Sequence, residues 1–192
     1  QTIGSDRGLQ DVVRALPHLD DLERPVHLTL RGHWASGCET EFQQLAKRLG
    51  VDNRLHHRPV APPHQLIERA SFHDVGLALE PGKDPNNRIA ISNKLFTYLL
   101  AGLPVVATDT PGQRHICADL PECTRVCPPD SPNDLAGAIR SFLQSPEHLE
   151  QAAQAAWTYG SERFNWDVEQ KRLLQTFART LNTDVPALSP TS

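Results

Sequence analysis

Residues 87–107 read NRIAISNKLFTYLLAGLPVVA, and they contain the clearest helix and strand patterns of the chain. The middle part of this stretch has apolar residues at helical spacing, so we expect a helix over 93–101. Its buried stripe should be Leu95, Phe96, Leu99 and Leu100, with Lys94, Thr97 and Tyr98 on or beside the opposite face. Gly102 and Pro104 end the helix, and residues 105–107 then predict a strand buried on both faces, as in a parallel sheet.

The same alternation of helix and strand patterns extends along the chain. Strands are predicted over 26–30, 54–58, 75–79 and 124–127, and helices over 8–19, 39–49, 65–70, 131–143, 146–164 and 166–181. A loop is expected over 80–87, and no clear pattern covers 113–123. Short strands that alternate with helices predict an α/β fold with a doubly wound, Rossmann-like parallel sheet. We expect one domain over 1–182, with 165–182 as its final helix and 183–192 as a flexible tail.

Composition excludes several classes of protein. The chain is 39 % hydrophobic and 22 % charged, which is typical of a globular domain rather than a disordered one. A net charge of −4 provides no electrostatic footprint for nucleic acid, so no nucleic-acid partner is expected. No apolar run approaches the roughly 18 residues that span a bilayer, and no basic segment followed by an apolar core has the pattern of a signal peptide. Four cysteines are too few for a disulfide scaffold and indicate a reducing compartment, so we expect a cytoplasmic protein.

The chain has no methionine and opens with Gln1. We therefore expect a fragment of a longer protein whose first strand is truncated. A zinc site could be read into His115, Cys117, Cys123 and Cys127, but their spacing lacks the paired two-residue gaps of common zinc modules. We expect incidental thiols and no metal.

Two helix starts are candidates for binding an anion. Ser92 or Asn93 can cap the helix over 93–101, and Lys94 stands in its first turn, where a cation opposes the helix dipole at a cost of about 0.3–1 kcal/mol. A phosphate at that end would explain the arrangement, although a surface lysine near an ordinary cap is the simpler interpretation of Lys94 alone. The polar opening segment 1–8 contains Arg7 and also leads into a helix. Two such starts on one sheet edge suit a diphosphate, because ligands bind beyond the carboxyl ends of parallel strands.

Several segments, in order and spacing, resemble a known family. They are 1–8, 26–32, 55–63, 74–81, 93–96, 101–108 and 164–166, and the similarity covers about residues 1–180. They resemble the C-terminal donor-binding domain of GT-B glycosyltransferases, closest to the retaining family 4 (glycosyl transferases group 1).

The resemblance implies a partner and a reaction. The ligand would be a nucleotide-diphosphate sugar, with UDP or GDP as the nucleotide, and the reaction a metal-independent transfer of a hexosyl group without a cofactor. The acceptor would be held by a missing N-terminal domain, so the isolated fragment should be inactive. Any peripheral contact with the inner face of a membrane would go through that missing domain.

The resemblance also assigns roles to residues. Arg7 and Lys94 would be the catalytic cations that contact the diphosphate and stabilise charge on the departing nucleotide. Arg58, Pro59 and Val60 would line the base pocket, and Glu80 would lie near the sugar or diphosphate. The remaining donor-binding positions are Gly4, Ser92, Asn93, Leu95 and Thr97.

The chain departs from the family pattern at two positions. Many members have two glutamates seven residues apart, and here Ile89 and Thr97 stand in those places. A hydrogen bond to a charged group contributes about 1.5–3 kcal/mol against roughly 0.5–1.5 for a neutral one, so Thr97 should hold ribose less firmly. The change is compatible with a variant subgroup, weaker donor binding or a decayed site. Two other functions stay open: a non-catalytic binding or scaffolding module and a sugar-nucleotide epimerase.

Overall fold

The computed structural model describes residues 2–4, 8–81 and 85–181. Strands and helices alternate along these segments. The strands are β1 (Thr2–Ile3), β2 (Leu28–Arg31), β3 (His33–Trp34), β4 (Leu55–Arg58), β5 (Gly76–Ala78), β6 (Val105–Thr108) and β7 (Thr124–Cys127). The helices are α1 (Leu9–Ala15), α2 (Cys38–Arg48), α3 (Leu66–Ala70), α4 (Pro85–Ile89), α5 (Asn93–Leu100), α6 (Pro111–Cys117), α7 (Pro132–Leu143), α8 (Pro146–Arg163) and α9 (Trp166–Leu181).

All the strand pairs among these residues are parallel, which confirms the predicted α/β class. Hydrogen bonding divides the strands into three groups: β1 with β3, β2 with β4, and β5–β6–β7. Only Gly32 separates β2 from β3, so one chain segment pairs with β4 through its first half and with β1 through its second. The central strand of the third group is β6.

Strand β6 is covered on both faces. Its four residues are all buried, as the apolar run at 105–107 predicted. Val106 belongs to a large core cluster with Val13, Leu16, Phe42 and Phe142, whereas Val105 and Ala107 belong to a second cluster with Leu95 and Leu99 of α5. Successive side chains of a strand point to opposite faces, so this one strand contributes to both cores.

Two segments form helices that the apolar pattern did not predict. The predicted loop over 80–87 is shortened by α4, which begins at Pro85. Proline is favourable at the first position of a helix because a backbone N–H at that position would have no partner within the helix. Helix α6 occupies part of the unassigned stretch. Thr110 caps it by accepting a hydrogen bond from the Gln113 N–H (3.4 Å), which is half of a capping box. Pro85 and Thr110 are residues typical of helix starts, so the sequence contained a signal for each of the two helices.

Other predicted elements need smaller corrections. The helix predicted over 8–19 ends as α1 at Ala15 and continues as a 3₁₀ turn over Leu16–Leu19, where Pro17 removes a backbone donor. Helix α9 begins after Asn165, whose Oδ1 accepts from the Val168 N–H at 3.0 Å. The predicted tail 183–192 lies outside the described residues. Among the helices that the structure describes, none combines the length and apolar character needed to cross a membrane.

The expectation for Tyr98 was wrong. Its ring packs against the backbone of Gly76 in β5, where an added Cβ would lie 2.3 Å from Tyr98 Cγ. Burial raises the pKa of Tyr98 to about 12. The aromatic side chain therefore belongs to the packed face of α5, because the neighbouring strand has no side chain at Gly76.

Close backbone contacts fix two helix positions. A Cβ on Gly112, in the first turn of α6, would lie 2.3 Å from the Ile89 carbonyl oxygen at the end of α4. A Cβ on Gly160 of α8 would lie 2.8 Å from backbone atoms of Leu99 and Leu100 in α5. At both places only glycine permits the observed separation.

The four cysteines are free thiols and are buried. Burial raises the pKa of Cys123 to about 12 and that of Cys127 to about 11, and it raises the pKa of Cys117 as well. In the part of the chain that the structure describes, no three His, Cys, Asp or Glu side chains are grouped so that they could hold a metal ion.

The packing of α8 on α5 generates a stability prediction. Gly160→Ala should lower the free energy of unfolding by about 1–3 kcal/mol, because its methyl group has no space against α5. Gly137→Ala is the matched control: Gly137 is exposed on α7 with nothing within 4 Å of an added Cβ. That variant should gain up to about 1 kcal/mol of helix propensity. Urea unfolding measures both, and shifts of the same sign would contradict the packing argument.

Thiol reactivity provides a second test. The thiolate is the nucleophile, so raised pKa values and burial should make Cys117, Cys123 and Cys127 unreactive in the native protein. With iodoacetamide near pH 8.5, about the pKa of a free thiol, mass spectrometry should detect no alkylation of these three residues. The same protein in urea should be alkylated at all four cysteines. Rapid native labelling at Cys123 would show that this part of the core is open.

Candidate functional site

A small cavity lies at the carboxyl ends of β5, β6 and β7, beside the starts of α1 and α7. The lining residues come from four places: the start of α1 (Gly8 and Asp11), the segment after β5 (Leu79, Glu80 and Pro81), the end of β6 (Thr108), and the end of β7 with the turn after it (Cys127, Asp130 and Ser131). This is the edge at which parallel α/β sheets bind ligands.

The described part of the lining is acidic. It contains the carboxylates of Asp11, Glu80 and Asp130 and no lysine or arginine. Asp11 is paired with Arg14, whose Nη1 donates to Asp11 Oδ1 at 2.8 Å. Asp130 adopts a left-handed backbone (φ 54°), which places it in a tight turn before α7. An anion in this cavity needs positive charge from outside this lining.

Glu80 connects the cavity to the start of α5. Its backbone N–H donates to Thr108 Oγ1 at 3.0 Å, which fixes the chain as it leaves β5. Its Oε1 accepts from Ser92 Oγ at 3.2 Å and from Lys94 Nζ at 2.8 Å. The residue is only 8 % exposed. The structure thus brings together three of the predicted site residues, Glu80, Ser92 and Lys94.

The start of α5 differs from an ordinary cap. Ser92 is the N-cap residue with an extended backbone, but its side chain makes no capping hydrogen bond and donates to Glu80 instead. Lys94 lies in the first turn, at the positive end of the helix dipole. The Glu80 carboxylate beside it offsets this unfavourable placement. Asn93 is exposed at the first helical position.

The other predicted site residues have varied surroundings. The Leu95 side chain is completely buried, so it can meet a ligand only through its backbone. Thr97 Oγ1 donates to the Asn93 carbonyl at 3.1 Å, within the helix. Arg58, Pro59 and Val60 are exposed at and after the end of β4, and Arg31 Nη1 donates to the Pro59 carbonyl at 2.9 Å. Gly4 is buried after β1. Arg7 lies outside the described residues.

Sequence reasoning placed Thr108 in a segment at the ligand edge but gave no role to Thr108 or Gln113. Thr108 is buried and accepts the Glu80 N–H, while its carbonyl accepts from Gln113 Nε2 at 3.0 Å. Gln113 is fully buried, and its Oε1 has no hydrogen-bond partner among the described residues. For Thr108 the available signal was its position as a polar residue at the carboxyl end of an apolar strand, because ligands bind at that edge of a parallel sheet.

Comparison with known proteins identifies the family. The profile described as "Glycosyl transferases group 1" matches residues 3–145, which is more than half of the chain. No curated protein matches the chain significantly.

Solved structures have the same fold. HepE from Anabaena, in complex with UDP, superposes with a TM-score of 0.74 at 19 % identity, over 93 % of this chain and 48 % of that one. WaaG, a glycosyltransferase involved in lipopolysaccharide biosynthesis, gives a TM-score of 0.66 at 23 % identity, over 89 % of this chain and 44 % of that one. The C-terminal domain of LpcC, a group 1 glycosyl transferase from Francisella tularensis, gives 0.70 at 14 % identity, over 86 % and 85 %.

The extent of these matches locates the chain within the larger fold. It spans about half the length of HepE and WaaG, but most of the isolated C-terminal domain of LpcC. The chain belongs to the glycosyl transferases group 1 family, with the fold of the C-terminal domain of a GT-B glycosyltransferase.

Proposed function

We propose that this domain binds the nucleotide diphosphate of a sugar donor at the carboxyl ends of β5, β6 and β7, for transfer of a hexosyl group with retention. The observation that carries the proposal is the position of Lys94. Its ammonium group lies at the N-terminus of α5 and is held there by Glu80, which lines the cavity. Complexes of HepE with UDP and with UDP-glucose support a nucleotide sugar as the ligand class.

The proposed chemistry is electrostatic. Negative charge grows on the departing diphosphate as the glycosidic bond breaks, and Lys94 with the N–H groups at the start of α5 would stabilise that charge. Arg7 is the expected second cation. We propose that these groups supply the positive charge, so that no metal ion or other cofactor is needed. Arg58, Pro59 and Val60 would contact the base, mainly through backbone groups.

The acceptor would be held by a second, N-terminal domain, and the reaction would occur in the cleft between the domains. The isolated domain should therefore bind donor without measurable transfer. The buried free thiols are consistent with a reducing compartment, so we propose that the protein works in the cytoplasm.

A second candidate, a non-catalytic binding module, is favoured by two observations. Lys94 is already paired with a carboxylate. Thr97 is neutral, and its hydroxyl donates to a carbonyl of its own helix. A full-length protein that binds UDP-sugars but neither transfers nor hydrolyses them would support this candidate over the enzyme.

Calorimetric titration with UDP tests the role of Lys94. Lys94→Ala should weaken binding by about tenfold or more, because a hydrogen bond to a charged group contributes about 1.5–3 kcal/mol. Lys47→Ala, an exposed lysine on α2, is the matched control and should bind like the wild type. Thermal unfolding checks that both variants fold. Equal UDP affinity for wild type and Lys94→Ala would remove Lys94 from the site.

A further inference from the structure

We propose that Glu80 determines which anions the site accepts, by acting as a built-in counter-ion for Lys94. Its carboxylate weakens the binding of small free anions such as inorganic pyrophosphate. A diphosphate is then held firmly only when an attached nucleoside adds contacts of its own. This inference rests on the proposed function, because it takes the start of α5 as the place where the diphosphate binds.

The first step is the contact itself. Lys94 Nζ lies 2.8 Å from Glu80 Oε1, and the two side chains are 23 % and 10 % exposed. An ion pair this buried is screened by salt much less than a surface pair. The same oxygen also accepts from Ser92 Oγ, so two donors from one helix start hold the carboxylate in place.

The second step is the position of the carboxylate. The positive end of a helix dipole favours a negative charge, and at α5 that charge is provided by Glu80. Glu80 therefore takes the place, relative to Lys94 and the α5 start, that a phosphate oxygen would take in a phosphate complex. A free anion gains little by approaching a lysine whose charge is already offset.

The third step is the cavity. Glu80 lines it, together with Asp11 and Asp130, and Lys94 is not among the described lining residues. A ligand in the cavity that reaches Lys94 must pass beside the Glu80 carboxylate. The Glu80 carboxylate repels a negatively charged ligand, and this repulsion is stronger in a partly buried site than in water. The loss of binding energy grows with the negative charge of the ligand. A base and ribose are uncharged and do not incur it.

The experiment removes the charge and keeps the acceptor oxygen. Glu80→Gln can still accept from Ser92 and Lys94, and we expect it to bind pyrophosphate about tenfold more tightly than wild type, with a smaller gain for UDP and none for uridine. This order of gains should hold at both low and high salt, because charges this buried are screened little. A purely structural change would not follow the ligand's charge in this way.

Three further variants control the result. Glu80→Asp keeps the negative charge and should not gain affinity for pyrophosphate. Glu80→Ser is a second neutral variant and should gain, which keeps the test available if Glu80→Gln does not fold. Glu41→Gln, an exposed glutamate on α2, should behave like wild type.

The outcomes separate this inference from the proposed function. If UDP binds through Lys94 but the neutral variants bind pyrophosphate no better than wild type, the role of Glu80 is overturned and the nucleotide site stands. If the neutral variants gain affinity for pyrophosphate while UDP and UDP-sugars do not bind, the counter-ion role stands and the nucleotide proposal is wrong. If no ligand binds wild type or the neutral variants, both are overturned.

Discussion

Strand β6 is buried on both faces, and this double burial holds the sheet and both core clusters together. Val106 packs in one core cluster, and Val105 and Ala107 pack in the other, so both clusters include side chains of the same strand. Because β6 is central in its group, its direction also sets the direction of β5 and β7. All three strands end at one edge, where β6 provides the Thr108 hydroxyl and the segments after β5 and β7 provide Glu80 and the turn at Asp130.

The candidate site is therefore a consequence of strand geometry with polar residues added at the strand ends. Thr108 holds the Glu80 backbone, and Glu80 in turn holds Lys94 at the start of α5. This chain of contacts joins the sheet edge to a helix that packs mainly through Leu95 and Leu99. A cation in the first helical turn is unfavourable by itself, and it is tolerated here because an anion faces it.

Much of the fold could be predicted from sequence, because apolar periodicity reflects burial directly. The strand at 124–127 and the helix at 166–181 have the predicted bounds, and α5 has its buried pair at Leu95 and Leu99. The Glu80–Lys94 contact could not be predicted, since it joins segments 14 residues apart through tertiary packing. Tyr98 was misplaced for a similar reason: space for its ring depends on the absence of a side chain at Gly76, on another element.

The backbone contact between Gly112 and Ile89 has a consequence for how the segment after β5 can evolve. Backbone at the end of α4 lies directly against the first turn of α6, with no space for a Cβ at 112. Any residue other than glycine at 112 would therefore force the end of α4 away from α6. Because α5 begins at Asn93, soon after α4 ends at Ile89, this contact limits how far the chain leading into α5 can vary.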